Sequence, residues 1–268
     1  MNEGEESRAF AFEVGEEAYV VRVNAAAESF EMDRLIGDAL CGGPIPVPVV
    51  VLVTPLDGGG FACVSRRLPG ETLQALPQGG AFAYGPAVAH VLNQLASPNS
   101  SIADRLATSP LMAQQESWPD FVAAVTRLDW TQADSGARRS VDQWTNLVAG
   151  CVARLPQRLG LVHGDFGSNN VLVSSGAVSG VLDWSEARIG DPLYDVANIL
   201  FWRSWLDCME QQSRYFEQQE SWRLVERDAL GCYQLRIGLM TLHEAFAEGN
   251  SRLIAWTMRR CATIAAET

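Results

Sequence analysis

No apolar run in this chain approaches the length needed to span a bilayer. The acidic start Met1-Asn2-Glu3 has none of the basic and then apolar character of a secretion signal. The expectation is a cytoplasmic protein without a membrane partner. Cysteine is present but never paired: Cys41, Cys63, Cys151, Cys208, Cys232 and Cys261 are scattered, with no C-x-x-C and no zinc-ligand spacing. That predicts reduced thiols rather than a disulfide framework. Only three histidines occur, which leaves little room for a histidine-based metal centre. Positive charge is in deficit, 20 basic against 32 acidic residues for a net charge of −12. Such a chain repels nucleic acid and anionic lipid and suits a cationic ligand. Internal repeats and low-complexity tracts are absent as well. What the chain does have is 47% apolar content over 268 residues, enough to bury a substantial core in one or two lobes.

Its chemistry is concentrated in one stretch, His163-Gly164-Asp165-Phe166-Gly167-Ser168-Asn169-Asn170, followed by Val181-Leu182-Asp183-Trp184. Apolar residues lead into and out of the first run, Ser174-Ser175-Gly176 turns the chain, and a second short strand returns it to Asp183. This is a hairpin with carboxylates and carboxamides gathered at one end. Phosphoryl transfer from a nucleotide uses that set: one carboxylate orients and deprotonates the attacking hydroxyl, and hard-oxygen ligands hold magnesium against the phosphates. The spacing matches H-x-D-x-x-x-x-N followed by a metal-binding Asp, the kinase catalytic pattern, with Gly164 where Arg is usual. Asp165 is the candidate base, and Asn170 and Asp183 are the candidate metal ligands. His163 is placed in the catalytic loop as a support. A polar hairpin with an Asx-turn is the competing reading of the same residues.

These residues, with the run 190–198, resemble the aminoglycoside phosphotransferase family. The likeness narrows at 183–187, at Phe201-Trp202-Arg203 to Trp205, at 208–212, at 3–10 and at Ser65-Arg66-Arg67 to the members that act on hygromycin B. It covers most of the chain and is weakest over about 75–150. The resemblance implies an α+β, protein-kinase-like fold of two lobes. A nucleotide-binding lobe would occupy 1–68 and a mainly helical catalytic and substrate-binding lobe 69–268. It also implies ATP (or GTP) and Mg2+ as cofactors, a cationic aminoglycoside as substrate, antibiotic resistance as the outcome, and a monomer. Against the family pattern, the small antiparallel sheet would lack its first strand, leaving 2–7 as a free end from which Ser7 could reach a phosphate. A kinase of another small hydroxylated amine, or a chain that binds ligand without transferring phosphate, are the alternatives.

Taken in order, 10–14 and 18–23 alternate as a hairpin whose second strand carries Arg22. By the kinase plan Arg22 stands where Lys contacts the phosphates, and Asp33, on an amphipathic helix over 29–40, would hold it. Strands are predicted at 49–53 and 61–65, and 71–76 is expected to be a linker beyond a hinge. The family likeness gives Asp191 the task of bracing the catalytic loop. Helices are expected over 81–96, 138–155, 196–205 and 222–246. On or just after the third of these lie Trp202 and Trp205, either core or walls for a sugar ring. Asp207 and Glu210 follow a turn later, with Glu186 as a further acid for ammonium groups.

Overall fold

The computed structural model describes residues 8–97, 102, 105, 106, 108–156, 158–221 and 225–267. Ser7 and Trp222, both singled out from the sequence, lie outside these.

Alternating residues on either side of Gly15 build β1 (Arg8–Val14) and β2 (Glu17–Asn24), which pair antiparallel with Phe10 opposite Val21. After α1 (Glu28–Leu40) the chain returns as β3 (Val50–Pro55) and β4 (Phe61–Arg66). The sheet order is β1-β2-β4-β3, so β2 and β4 are central, and Arg22 pairs across the ladder with Cys63. On α1 the residues Phe30, Met32, Ile36 and Leu40 recur at helical spacing and are buried. Asp33 shares that buried face, which only a partner makes tolerable.

The segment expected as a linker has structure of its own. Glu71 and Thr72 form β5 (Glu71–Thr72), which pairs with Leu172 and Val173, and a 3-10 turn over Leu73–Ala75 follows, capped by the Thr72 hydroxyl. A two-residue strand has no period to read, so it was invisible in the sequence. The chain then enters α2 (Gly85–Ala96), a short α3 (Pro110–Ala113), α4 (Trp118–Ala123) and α5 (Ser135–Val152). Asp134 caps α5 by accepting the Gly136 and Ala137 N–H groups, which starts that helix three residues before the expected point.

Three short strands carry the polar loop: β6 (Gly160–Val162), β7 (Val171–Ser174) and β8 (Ala177–Val181). β7 and β8 form the expected hairpin, and Ser175 and Gly176 at its tip both have positive φ, the geometry that matches strand twist in a tight turn. β6 pairs instead with β9 (Arg188–Gly190), so the entry to the loop is anchored by a second, separate ladder. The remainder is helical: α6 (Leu193–Trp202), α7 (Asp207–Glu217), α8 (Arg227–Glu248) and α9 (Ser251–Glu267). Gly249, in the left-handed region, ends α8 and separates it from α9. Relative to expectation, α6 begins and ends three residues early, leaving Trp205 in the connection to α7. One apolar core runs from α1 through α2 to the β7–β8 hairpin, and a second fills the space among α4, α5, α6, α8 and α9. Among the described residues no helix is long and apolar enough to cross a membrane.

Candidate active site

The catalytic loop is held at each of its first residues. Two glycines let the backbone approach its neighbours. Gly164 has φ +94°, and a Cβ there would sit 2.6 Å from the Cβ of Glu186 and 2.8 Å from its carbonyl oxygen. Gly167 has φ +122°, and a Cβ would sit 2.5 Å from the Met209 methyl. The arginine usual in this position of the kinase pattern therefore has no space here. His163 is fully buried between the Phe166 and Trp184 rings. Its Nδ1 accepts the Asp165 N–H at 3.2 Å, so its Nε2 carries the proton donated to the Leu182 carbonyl at 2.9 Å. With both nitrogens engaged, His163 positions the loop and has no free site for proton transfer.

The brace expected from Asp191 comes from Asp195. Its two carboxylate oxygens accept the main-chain N–H groups of His163 and Gly164, each at 2.9 Å. Asp195 is completely buried, and burial pushes its carboxyl up to about 6 against the pull of His163 and those two donors. Asp191 does other work: it accepts the Leu193 N–H near the start of α6 and the Tyr233 hydroxyl. Asp191 lies just before α6 and Asp195 in its first turn, and the sequence alone did not say which of them faces the loop.

The Asp165 carboxylate is held from two sides, by Asn170 of the loop and by Asn198 of α6. Asn170 donates to that carboxylate and to the Asp165 carbonyl, both at 2.9 Å. Because the Asn170 amide nitrogen is committed there, its oxygen is left as a neutral, hard ligand. Leu182 N–H bonds the Asn170 carbonyl at 2.8 Å, which sets Asp183 beside Asn170. Asp183 has φ +57°, and the Ser185 hydroxyl donates to one of its oxygens at 2.8 Å. Carboxylate plus carboxamide is the donor set magnesium prefers. No cluster of three or more His, Cys, Asp or Glu stands near them among the described residues.

Arg22 and Asp33 form an ion pair across β2 and α1. Burial works against the Arg22 charge, but Asp33 outweighs it and leaves the guanidinium pKa above its usual value. The other Asp33 oxygen accepts the Trp184 N–H at 2.7 Å, so one carboxylate ties the sheet cation, α1 and the Asp183 loop together. Arginine supplies every basic side chain of this sequence, and the longer reach of Arg22 suits the short Asp33. A cavity of about 290 Å³ opens between the lobes, walled by Val20, Arg22 and Ser65 above and Leu172, Asp183 and Trp184 below.

The residues proposed for the substrate divide. Glu186 is exposed, lies against Gly164 beside the base, and has Arg188 at 3.7 Å from its carboxylate. Asp207 is exposed at the start of α7, accepts the Gly79 N–H at 2.9 Å and lines a second cavity of about 310 Å³ with Gln74 and Cys208. Gln74 in turn meets Ser168 of the catalytic loop. Glu210 is different, and its assignment as a free acid is corrected: Arg203 and Arg214 both engage its carboxylate, at 2.9 and 2.8 Å. Trp202 stacks on Trp256, with centroids 5.3 Å apart and planes 9° from parallel, and Trp205 leans on the same ring at 5.2 Å. Each therefore gives surface to the helical core, and both stay half-exposed. Trp256 and Asn198 were missed from the sequence. Asn198 could have been found, because a carboxamide three residues after Asp195 in an apolar helix has to be paired.

The two-lobed, protein-kinase-like fold and the Asp165, Asn170 and Asp183 constellation define a phosphotransferase. Residues 1–230 match the model of the phosphotransferase enzyme family, and the chain belongs to that family. It is 39% identical over 272 residues to hygromycin-B 4-O-kinase of Escherichia coli, covering 98% of this chain and 79% of that protein. A crystal structure of a thermostable mutant of aminoglycoside phosphotransferase APH(4)-Ia, in ternary complex with AMP-PNP and hygromycin B, superposes with a TM-score of 0.90 at 39% identity. The match covers 99% of this chain and 92% of that one. A GDP complex of aminoglycoside 2'-phosphotransferase-IIIa, at 16% identity and a TM-score of 0.69, shares the fold.

Proposed function

We propose that this chain transfers the γ-phosphoryl group of ATP (or GTP) to a hydroxyl of hygromycin B. By likeness to the Escherichia coli enzyme this is the 4-hydroxyl, and the reaction inactivates the antibiotic in the cytoplasm. The observation that carries the chemistry is the Asp165 carboxylate fixed by Asn170 at 2.9 Å, while the Leu182 N–H on the Asn170 carbonyl brings in Asp183, which lines the cavity walled by Arg22. Asp165 orients the acceptor hydroxyl and takes its proton as the oxygen attacks the γ-phosphorus and the bond to the departing nucleoside diphosphate breaks. Asn170 and Asp183 would hold magnesium, which supplies charge neutralisation on the phosphates. Arg22, kept in place by Asp33, contacts the phosphates from the sheet. Positioning and charge stabilisation carry most of the rate in this chemistry.

The exposed carboxylates of Asp207 and of Glu186, the latter 3.7 Å from Arg188, suit an ammonium-bearing sugar, and the half-exposed Trp202 adds apolar surface, whereas Arg252 already lies over the Trp205 ring. The test is phosphate incorporation from ATP and magnesium into a panel of hygromycin B, other aminoglycosides and simple amino alcohols, read by mass spectrometry. Selective phosphorylation of hygromycin B supports the reading. Equal labelling of simple amino alcohols would replace it with a broader small-amine kinase.

A further inference from the structure

Helix α6 presents two polar side chains to the catalytic loop, three residues apart and so on one face. Asp195 takes the main-chain N–H groups of His163 and Gly164. Asn198, which is 3% exposed, turns its amide nitrogen to two acceptors, the Asp165 carboxylate at 3.3 Å and the Phe166 carbonyl at 3.2 Å. Both partners are oxygens, so the orientation of the carboxamide is fixed by what surrounds it. The two bonds to the Asp165 carboxylate fall on different oxygens: Asn170 binds one and Asn198 the other. A carboxylate gripped at one oxygen swings about its Cβ–Cγ bond. Gripped at both, its plane is set.

We infer that Asn198 is a positioning residue for the reaction: it fixes the plane of the Asp165 carboxylate toward the acceptor hydroxyl. The inference rests on the reading of Asp165 as the base. Asn170 is also a candidate ligand of the metal, so its grip on Asp165 is tied to the nucleotide side of the site. Asn198 supplies a second grip from the rigid helix, on the other carboxylate oxygen. A side chain that only filled space at this position would be apolar, like its helix neighbours Ala197 and Ile199.

Two variants test this, each compared with wild type for kcat, KM for hygromycin B and melting temperature. Asn198→Leu keeps the volume and removes both bonds. It is expected to lower kcat on the order of tenfold to a hundredfold, the cost of a misplaced reacting group, with KM nearly unchanged. Asn198→Asp keeps the size even if the leucine variant folds poorly, and replaces the donor with an acceptor. Its kcat is expected to fall at least as far, again with KM nearly unchanged. A loss of kcat with KM held, in a variant that melts near wild type, establishes the role. Wild-type kcat in either variant overturns it, and so does a loss that follows only the fall in melting temperature. Asp165→Asn, measured alongside, separates the two ideas. Retained turnover there removes the base assignment itself, whereas lost turnover there with wild-type kcat in the Asn198 variants removes only the positioning role.

Discussion

Asp195 is a buried acid whose ionised form is the useful one, and the fold pushes it the other way. Its carboxyl lies at about 6 against an ordinary 3.8, with burial as the main cause. A carboxyl raised in the folded state contributes most to stability below its unfolded value and loses that contribution as pH rises through its folded value. Wild type should therefore lose about 3 kcal/mol relative to Asp195→Asn between roughly pH 4 and pH 6, a difference that paired denaturant melts would measure. Catalysis should run in the opposite direction, with turnover falling below about pH 6 as protonation weakens the hold on His163 and Gly164. Gly164→Ala should destabilise by about 2 kcal/mol or more, because it adds a Cβ at a positive φ against main chain. Urea denaturation would read that loss, and turnover should fall with it. The candidate metal and base residues were legible because their spacing is rigid. The choice between Asp191 and Asp195 was not, because the helix phase that decides it depends on where α6 begins.

Among the elements, the join between α1, β2 and the Asp183 loop rests on Asp33. Removing it by Asp33→Ala leaves Arg22 buried without its partner and frees the Trp184 N–H, at a cost of about 3 kcal/mol. It should also raise KM for the nucleotide much more than KM for the aminoglycoside. The double variant Arg22→Met with Asp33→Leu should recover much of the stability and none of the nucleotide affinity, which a thermal melt with and without ATP distinguishes. The longer elements were readable from period. The first hairpin, α1 and the amphipathic α2 and α5 were each located within a few residues. The short ladders were not readable: β5, β6 and β9 are two or three residues long and owe their existence to tertiary pairing rather than to any alternation of their own.

At the scale of the whole molecule, a net charge of −12 surrounds a site meant for a cation. Long-range attraction of a polycationic substrate should weaken with added salt, so kcat/KM for hygromycin B is expected to fall as ionic strength rises while kcat stays nearly constant. The charge and the motif made the class of ligand legible in the sequence. The residues that meet it were less so: Glu210 looked free until Arg203 and Arg214 were placed beside it, and the stack of Trp202 on Trp256 joins residues 54 positions apart. The central claim is that Asp165 is the base of an antibiotic-dependent phosphoryl transfer. The most direct measurement is nucleotide turnover with magnesium and ATP, with and without hygromycin B, in wild type and Asp165→Asn, alongside thermal stabilisation by the antibiotic. Hygromycin-dependent turnover that falls on the order of a thousandfold or more in the variant, with stabilisation retained, is the predicted result. Turnover near the wild-type level in Asp165→Asn would contradict it.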